Sequence, residues 1–286
     1  MTADGIMPTR LITFAGSTVA IEFEGNRPAQ IIEFLFRDIP AASPQSPQFT
    51  YRLMAEAESG RLQLFRQDEL LHEGDHAAEV ANILLGNTCY HLADRSQGGL
   101  LFHAAALAWQ GHGLLLPGTM GAGKSSLTAW LLGRGFDYLT DELVFIPHGS
   151  STVQAFARPL NLKRPARLVL CDRLDFSQQA GQMLSSVAID LVPPALLNPS
   201  GRLSEPPLSL ILFPRYQSGG DFALTGLTKA QAGLELMQCL VNARNLPEHG
   251  FPEITRLSKS TLAYRINYSS FDQIGDRIET ILHSLP

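Results

Sequence analysis

Residues 118 to 125 read Gly-Thr-Met-Gly-Ala-Gly-Lys-Ser, and no other stretch restricts the surrounding fold so strongly. Gly118 and Gly123 bracket a loop whose backbone can close tightly around an anion. The successive N–H groups of Thr119, Met120, Gly121 and Ala122 then act as donors, and a helix beginning near Lys124 adds its positive end. In such a loop Lys124 supplies charge to the β- and γ-phosphates of a nucleotide, while Ser125 offers a hydroxyl to Mg²⁺ and Ser126 follows it in the same turn. The flanks agree. Leu100 to Trp109 and Gly113 to Pro117 read as strands joined by a glycine-containing turn. Lys124 to Leu132 has Leu127, Trp130 and Leu131 at helical spacing and meets Gly133 and Gly135, before the apolar segment Phe136 to Ile146. Strand, loop, helix and strand is the order such a loop requires.

Three further positions gain meaning from this frame. Asp141 and Glu142 close a strand-like segment seventeen and eighteen residues after Lys124. If that segment is a parallel neighbour of the strand entering the loop, both acids face the phosphates, where either could hold Mg²⁺ through water and one could accept a hydroxyl proton. A turn centred on Gly111-His112 pairs positions summing to 223, which sets His103 level with position 120, inside the loop. There a histidine can donate, accept or carry a proton. Arg158 and Lys163 flank Pro159-Leu160-Asn161-Leu162, and one or both could clamp a transferring phosphoryl group.

The rest of the chain supplies context. Residues 11 to 65 alternate apolar and polar positions in short runs broken by Pro40, Pro44 and Pro47, the mark of a small β-rich unit, and Glu73 to Leu92 then carries a helical pattern. A boundary falls at Ser96-Gln97-Gly98-Gly99, dividing residues 1–96 from 97–286. Leu208 to Phe213 reads as a buried strand, Thr228 to Gln231 as a capping box opening a helix to about Asn242, and Leu262 to Tyr268 as a strand. Ser270 to Gln273 opens a final helix with Ile274, Ile278 and Ile281 on one side. Ser177 to Ser204 has little periodicity and reads as a connector or a lid. The whole is an α/β layer structure.

Composition excludes several classes. A net charge of −5 and the lack of a basic stripe disfavour nucleic-acid partners. With 45% hydrophobic and 17% charged residues the chain has a globular profile, and its longest apolar run is too short to span a bilayer. The acidic start at Asp4 lacks the basic residues of a targeting segment, so a cytoplasmic location is expected. Cys89, Cys171 and Cys239 are widely separated and read as reduced thiols.

Taken together, His103, Gly118 to Ser125 and Asp141-Glu142 resemble the HPr serine kinase/phosphorylase superfamily, and are closest to the stand-alone HPr-kinase-related proteins of bacteria. Arg158 to Lys163 and Phe213-Pro214-Arg215-Tyr216 add to the likeness, which covers about residues 97 to 220. The resemblance implies a P-loop kinase domain of the HPr-kinase/PEP-carboxykinase-like type; the small β-rich α+β region that precedes it here is a candidate for substrate recognition. It also implies ATP and Mg²⁺ as cofactors. Asp141 would be the acid/base facing a substrate serine, Glu142 a carboxylate on the Mg²⁺ side, and His103 an active-site support. Glu142 stands where HPr kinases have a second Asp, and their downstream Glu-Ile-Arg-Gly-Leu-Gly signature, linked to phosphorolysis, is not present. The expected activity is therefore transfer of the γ-phosphoryl of ATP to a serine of a protein or peptide, such as a ribosomally made precursor. A small-metabolite kinase and a nucleotide-gated peptide-binding module remain as rivals. The family tends to form hexamers, so a homo-oligomer is a further expectation.

Overall fold

The computed structural model describes residues 7–40 and 46–285, so Asp4 and Pro44 lie outside the described residues. The chain begins with a hairpin of β1 (Thr9–Phe14) and β2 (Ser17–Glu24), turned over Ala15 and Gly16, both at positive φ. That is the two-residue turn whose twist matches paired strands. Helix α1 (Asn26–Phe36) then crosses to β3 (Phe49–Ala55), which lies parallel to β2; β4 (Leu62–Arg66) and β5 (Glu69–Gly74) follow antiparallel. The sheet order is β1-β2-β3-β4-β5. Alternate residues Ile12, Val19, Ile21, Tyr51, Leu53, Leu62 and Leu64 point into one core. Helix α1 covers it with Ile31, Ile32, Leu35 and Phe36, and α2 (Ala77–Asp94) with Val80, Ala81, Leu84 and Leu85. Burying each such side chain stabilises by roughly 1.5–3 kcal/mol. Two expectations change here. Helix α1 sits inside a stretch read as β-rich, and α2 starts after Glu73-Gly74 because those residues end β5.

The second half is built on a longer strand, β6 (Gly99–Trp109), which pairs with β7 (His112–Pro117). After the glycine-rich loop come α3 (Lys124–Leu132), β8 (Asp137–Thr140), β9 (Leu143–Pro147), β10 (Leu160–Lys163) and α4 (Ala166–Leu170). They are followed by β11 (Leu184–Ser185), β12 (Ile189–Val192), β13 (Leu208–Tyr216) and β14 (Ala223–Gly226). Helices α5 (Lys229–Cys239) and α6 (Phe251–Ser260) precede β15 (Leu262–Tyr268), and α7 (Phe271–Ile274) and α8 (Arg277–His283) end the chain. The main sheet has the order β14-β15-β13-β7-β6-β8, with β9 as a further partner of β6. Strands β15, β13 and β7 are mutually parallel, and β6 runs against β7, β8 and β9. Helix α3 and the C-terminal helices cover one face, and α5 and α6 the other. Buried on both faces, β6 can be apolar almost throughout.

The topology corrects three expectations. The turn after β6 is Gln110-Gly111, at φ 49° and 87°, so Trp109 pairs with His112 and Ala104 with Pro117. His103 is therefore level with Gly118, not Met120. Strand β8 is not a neighbour of β7, because β7 already pairs with β6 and β13 through its two edges; β6 lies between, antiparallel to both, and restores the common direction of β7 and β8. The segment 177–204 is not featureless, since β12 pairs with β10 on one edge and β11 on the other in a small antiparallel sheet. The two capping boxes form as expected, at Thr228/Gln231 and Ser270/Gln273, but Gly275 (φ 51°, ψ −132°) breaks the final helix in two.

The expected division at 96/97 falls between α2 and β6. The core beneath the five-stranded sheet also takes in Leu101, Leu143, Phe145, Phe156 and Leu191. Phe156, 1% exposed, packs its ring 4.7 Å from that of Phe14. Truncating Phe156 to Ala removes a large side chain from a core drawn from both halves. We expect a loss of about 3–5 kcal/mol, measured as a lower urea midpoint with an unchanged slope.

Candidate active site

Strands β7, β8, β13 and β15 all end at one edge of the sheet, the position where open α/β sheets bind ligands. A cleft of about 780 Å³ opens there. Its walls include Met120, Gly121, Gly123, Lys124, Ser125 and Ser126 from the loop and first turn of α3, His103 from β6, Asp141 and Glu142 after β8, Lys163 at the end of β10, and Tyr216, Tyr268 and Phe271. Gly123 caps α3 in the left-handed conformation at φ 91°, and a Cβ there would fall 2.4 Å from the Tyr268 hydroxyl and 3.0 Å from Tyr216 Cβ. Only glycine fits both the backbone and the space. Lys124 is 7% exposed, and its Nζ donates to the carbonyls of Gly118 (2.6 Å) and Thr119 (3.1 Å). The Ala122 amide donates to Thr119 O, closing the loop on itself. Burial pulls the Lys124 pKa below its ordinary value, against the opposing pull of Glu142, Cys239 and Asp141. The loop thus holds a buried ammonium against neutral carbonyls at a helix N-terminus.

The acid pair sits where β8 ends and β9 begins along the same edge of β6. The Glu142 carbonyl accepts from the Ala104 amide, which sets the pair beside His103. His103 Nδ1 lies 3.2 Å from Glu142 Oε1. The guanidinium of Arg158, 3% exposed, lies 2.9 Å from Asp141 Oδ1 and 3.0 Å from Glu142 Oε2 through the same nitrogen. Asp141 also accepts from the Tyr138 hydroxyl on Oδ1 (3.0 Å) and from the Asn161 amide on Oδ2 (3.3 Å). These surroundings separate the two acids. Burial raises the Asp141 pKa, and Arg158 only partly offsets it. For Glu142 burial also pushes upward, but the bond from His103 and the charge of Arg158 outweigh it and hold the carboxyl at about 2. Burial opposes the Arg158 charge too, and the surrounding groups together, Asp141 foremost, more than compensate and hold its pKa above the ordinary value.

The residues read from the sequence therefore converge on one edge, with a change of part for Arg158 and for Glu142. Arg158, expected to clamp a phosphoryl group, is engaged as the counter-ion of both acids, because two carboxylates this deeply placed need a positive partner. Lys163 does reach the cleft. Glu142, expected on Mg²⁺, has each oxygen already facing a cation or a ring nitrogen. Sequence reasoning missed Tyr138, Asn161 and Asn82 of α2, whose Oδ1 accepts from Asn161 Nδ2 at 2.7 Å. Only the position of Asn161 within the Arg158 to Lys163 stretch hinted at any of them. Cys89 on α2 is buried, and burial pushes its thiol up to about 12, so it is no nucleophile. Among the described residues no group of three or more His, Cys, Asp and Glu is placed to hold a metal ion, and no helix is long and apolar enough to cross a membrane.

Comparison with known proteins adds little beyond this geometry. No family model and no curated protein matches the chain. Among solved structures, the Hpr(Ser) kinase/phosphatase from Coxiella burnetii is similar with a TM-score of 0.31 and 12% identity, over 64% of this chain and 93% of that one. The chain is a mixed α/β protein with several sheets.

The depressed Glu142 pKa has a consequence for stability. A carboxyl held at about 2 in the folded protein against an ordinary 4.5 adds stability that is fully present above pH 4.5 and is lost as pH falls towards 2. Glu142→Gln is expected to flatten that acid limb of the pH–stability curve, read by urea titration at a series of pH values.

Proposed function

We propose that the chain is a kinase that moves the γ-phosphoryl group of ATP to a serine hydroxyl of a protein or peptide. What supports the reading most is the meeting of the Lys124 loop with the Asp141–Arg158–Glu142–His103 cluster across one cleft. The loop amides and Lys124 hold the phosphates and neutralise charge spreading over the γ-phosphoryl oxygens. As the serine oxygen bonds to the γ-phosphorus, the bond to the bridging β–γ oxygen breaks and ADP leaves. The serine proton passes to Asp141, whose raised pKa suits a base and whose Oδ2 keeps acceptor capacity beside the long bond from Asn161. Where two acids have pKa values pushed apart, the raised one is the candidate for proton transfer and the depressed one for holding charge. Mg²⁺, when bound, neutralises phosphate charge. Ser125 and Glu142 would hold it, Glu142 through water, in keeping with an ion carried mainly by phosphates rather than by a protein cage. Tyr268, Tyr216 and Phe271 offer flat apolar surface for the nucleobase.

One observation favours a rival, a nucleotide-gated peptide-binding module without transfer. Asp141 is fully buried and held by three donors, as a structural carboxylate would be. The two readings separate on substitution. Lys124→Ala should abolish ATP binding in calorimetry under either, and unchanged affinity would overturn both. Asp141→Asn should leave ATP affinity nearly unchanged but lower single-turnover phosphoryl transfer by about two to four orders of magnitude, the range for loss of a general base. Retention of most of the rate at saturating ATP and Mg²⁺ would remove Asp141 from the chemistry.

A further inference from the structure

A second cleft, of about 500 Å³, lies on the other side of the charged cluster. His103, Glu142 and Asn161 are walls of both clefts; beyond them the second is closed by α2, which presents Leu85, Gly86 and Tyr90. We propose that this cleft seats the acceptor, and that the acceptor is an extended peptide with an apolar side chain next to its serine. The inference rests on the kinase reading above and names its substrate site.

The geometry points to the acceptor for a reason of direction. In phosphoryl transfer the attacking and leaving oxygens lie roughly in line through phosphorus, so the hydroxyl must arrive from the side facing away from the nucleotide. Phosphates on the Lys124 loop would occupy the first cleft, and a group seated in the second reaches that cleft at His103, Glu142 and Asn161, the walls the two share. The step balances without another reactant: serine O–P forms, the β–γ bridging O–P bond breaks, and the hydroxyl proton goes to Asp141, which lines the first cleft next to the shared wall residue Glu142.

The walls then indicate what arrives. A space of 500 Å³ suits a short stretch of chain or a molecule of drug size. Its rim continues outward through Tyr90 (64% exposed) and Val241 (40% exposed), aromatic and aliphatic surface that a metabolite confined to the cleft would not use. The rim charges, Arg244 and Asp94, pair with each other, so neither an acidic nor a basic flank is required. On α2 a Cβ built at Gly86 meets nothing within 4 Å, leaving bare helix backbone where a second chain can approach closely. The Asn82–Asn161 bond ties α2 to the residue whose amide holds Asp141, so the same wall that receives the peptide is fixed relative to the acid pair.

Gly86→Trp tests this directly, since a Cβ there meets nothing within 4 Å in the folded protein and the substitution adds bulk at a wall of the cleft. The probe is a positional-scanning library of serine-centred peptides with radiolabelled ATP and Mg²⁺, run beside free L-serine. Wild-type protein is expected to label the peptides, with preference for an apolar residue beside the serine, and not free serine. Gly86→Trp should lower peptide kcat/KM roughly ten- to a hundredfold, with ATP affinity by calorimetry and thermal midpoint as in wild type. Tyr90→Ala should raise KM and leave kcat, as loss of rim binding does. If Gly86→Trp labels peptides as well as wild type, the acceptor does not use this cleft. Equal labelling of free serine would replace the peptide by a metabolite. If wild type binds ATP yet labels neither acceptor, the kinase reading itself fails, a result distinct from either.

Discussion

Two carboxylates at the end of a strand that is buried on both faces would repel each other and strip each other of water; the guanidinium of Arg158 makes the arrangement stable. A single nitrogen bridges Asp141 and Glu142 at about 3 Å. Removal of such a partner from a buried pair typically costs ~3–5 kcal/mol, because the charges left behind are uncompensated. The location of the triad fixes much else. Arg158 approaches from the segment leading into β10, so β10 must lie against the break between β8 and β9, and Asn161, three residues on, is carried to the Asp141 carboxylate and to Asn82 of α2. The charged cluster is thus the joint at which the main sheet, the small sheet and the N-terminal helix meet.

The same joint explains why adjacent acids differ. Asp141 is sealed beneath Tyr138 and Arg158 and feels burial first, whereas Glu142 remains a third exposed and takes His103 as well as Arg158. One site therefore contains a carboxyl pulled towards its neutral form and another held ionised in acid. Neither state is available to an isolated surface pair, where solvent screens such differences away.

How much of this was legible in the sequence follows from the distance over which each part acts. The glycine-rich loop and its helix are local chemistry, and the flanking strand and helix signals were correct for the same reason. His103 and the acid pair could be placed near the loop because a hairpin and a crossover bring those positions back by short, regular paths. The hairpin register slipped by two residues, since Gln110 takes a positive φ that its side chain does not advertise. Helix α1 is masked by β alternation on both sides, and its Pro28 is accommodated in the first helical turn. The Tyr138–Asp141 bond needed the strand end to curl, and the Asn82–Asn161 bond joins residues 79 apart. Nothing in spacing or periodicity encodes contacts of that kind.

The role of Arg158 shows the limit most clearly. From sequence, a cation near a phosphate loop suggests a group that meets phosphate, but spacing carries no information on how deeply the two acids are buried. Once Asp141 is buried, the nearest cation is drawn to it before any ligand arrives, and under the proposed reading it is left to Lys124, Lys163 and the loop amides to meet phosphate. The buried Lys124 ammonium rests on the carbonyls of Gly118 and Thr119, acceptors weaker than a phosphate oxygen, so its interaction with an arriving anion exchanges a neutral partner for a charged one. In this site the charge of the anionic pair is compensated within the fold by Arg158, while the loop cation rests on neutral carbonyls and retains attraction for negative charge; under the kinase reading proposed above, that asymmetry assigns the nucleotide to the loop side of the cleft.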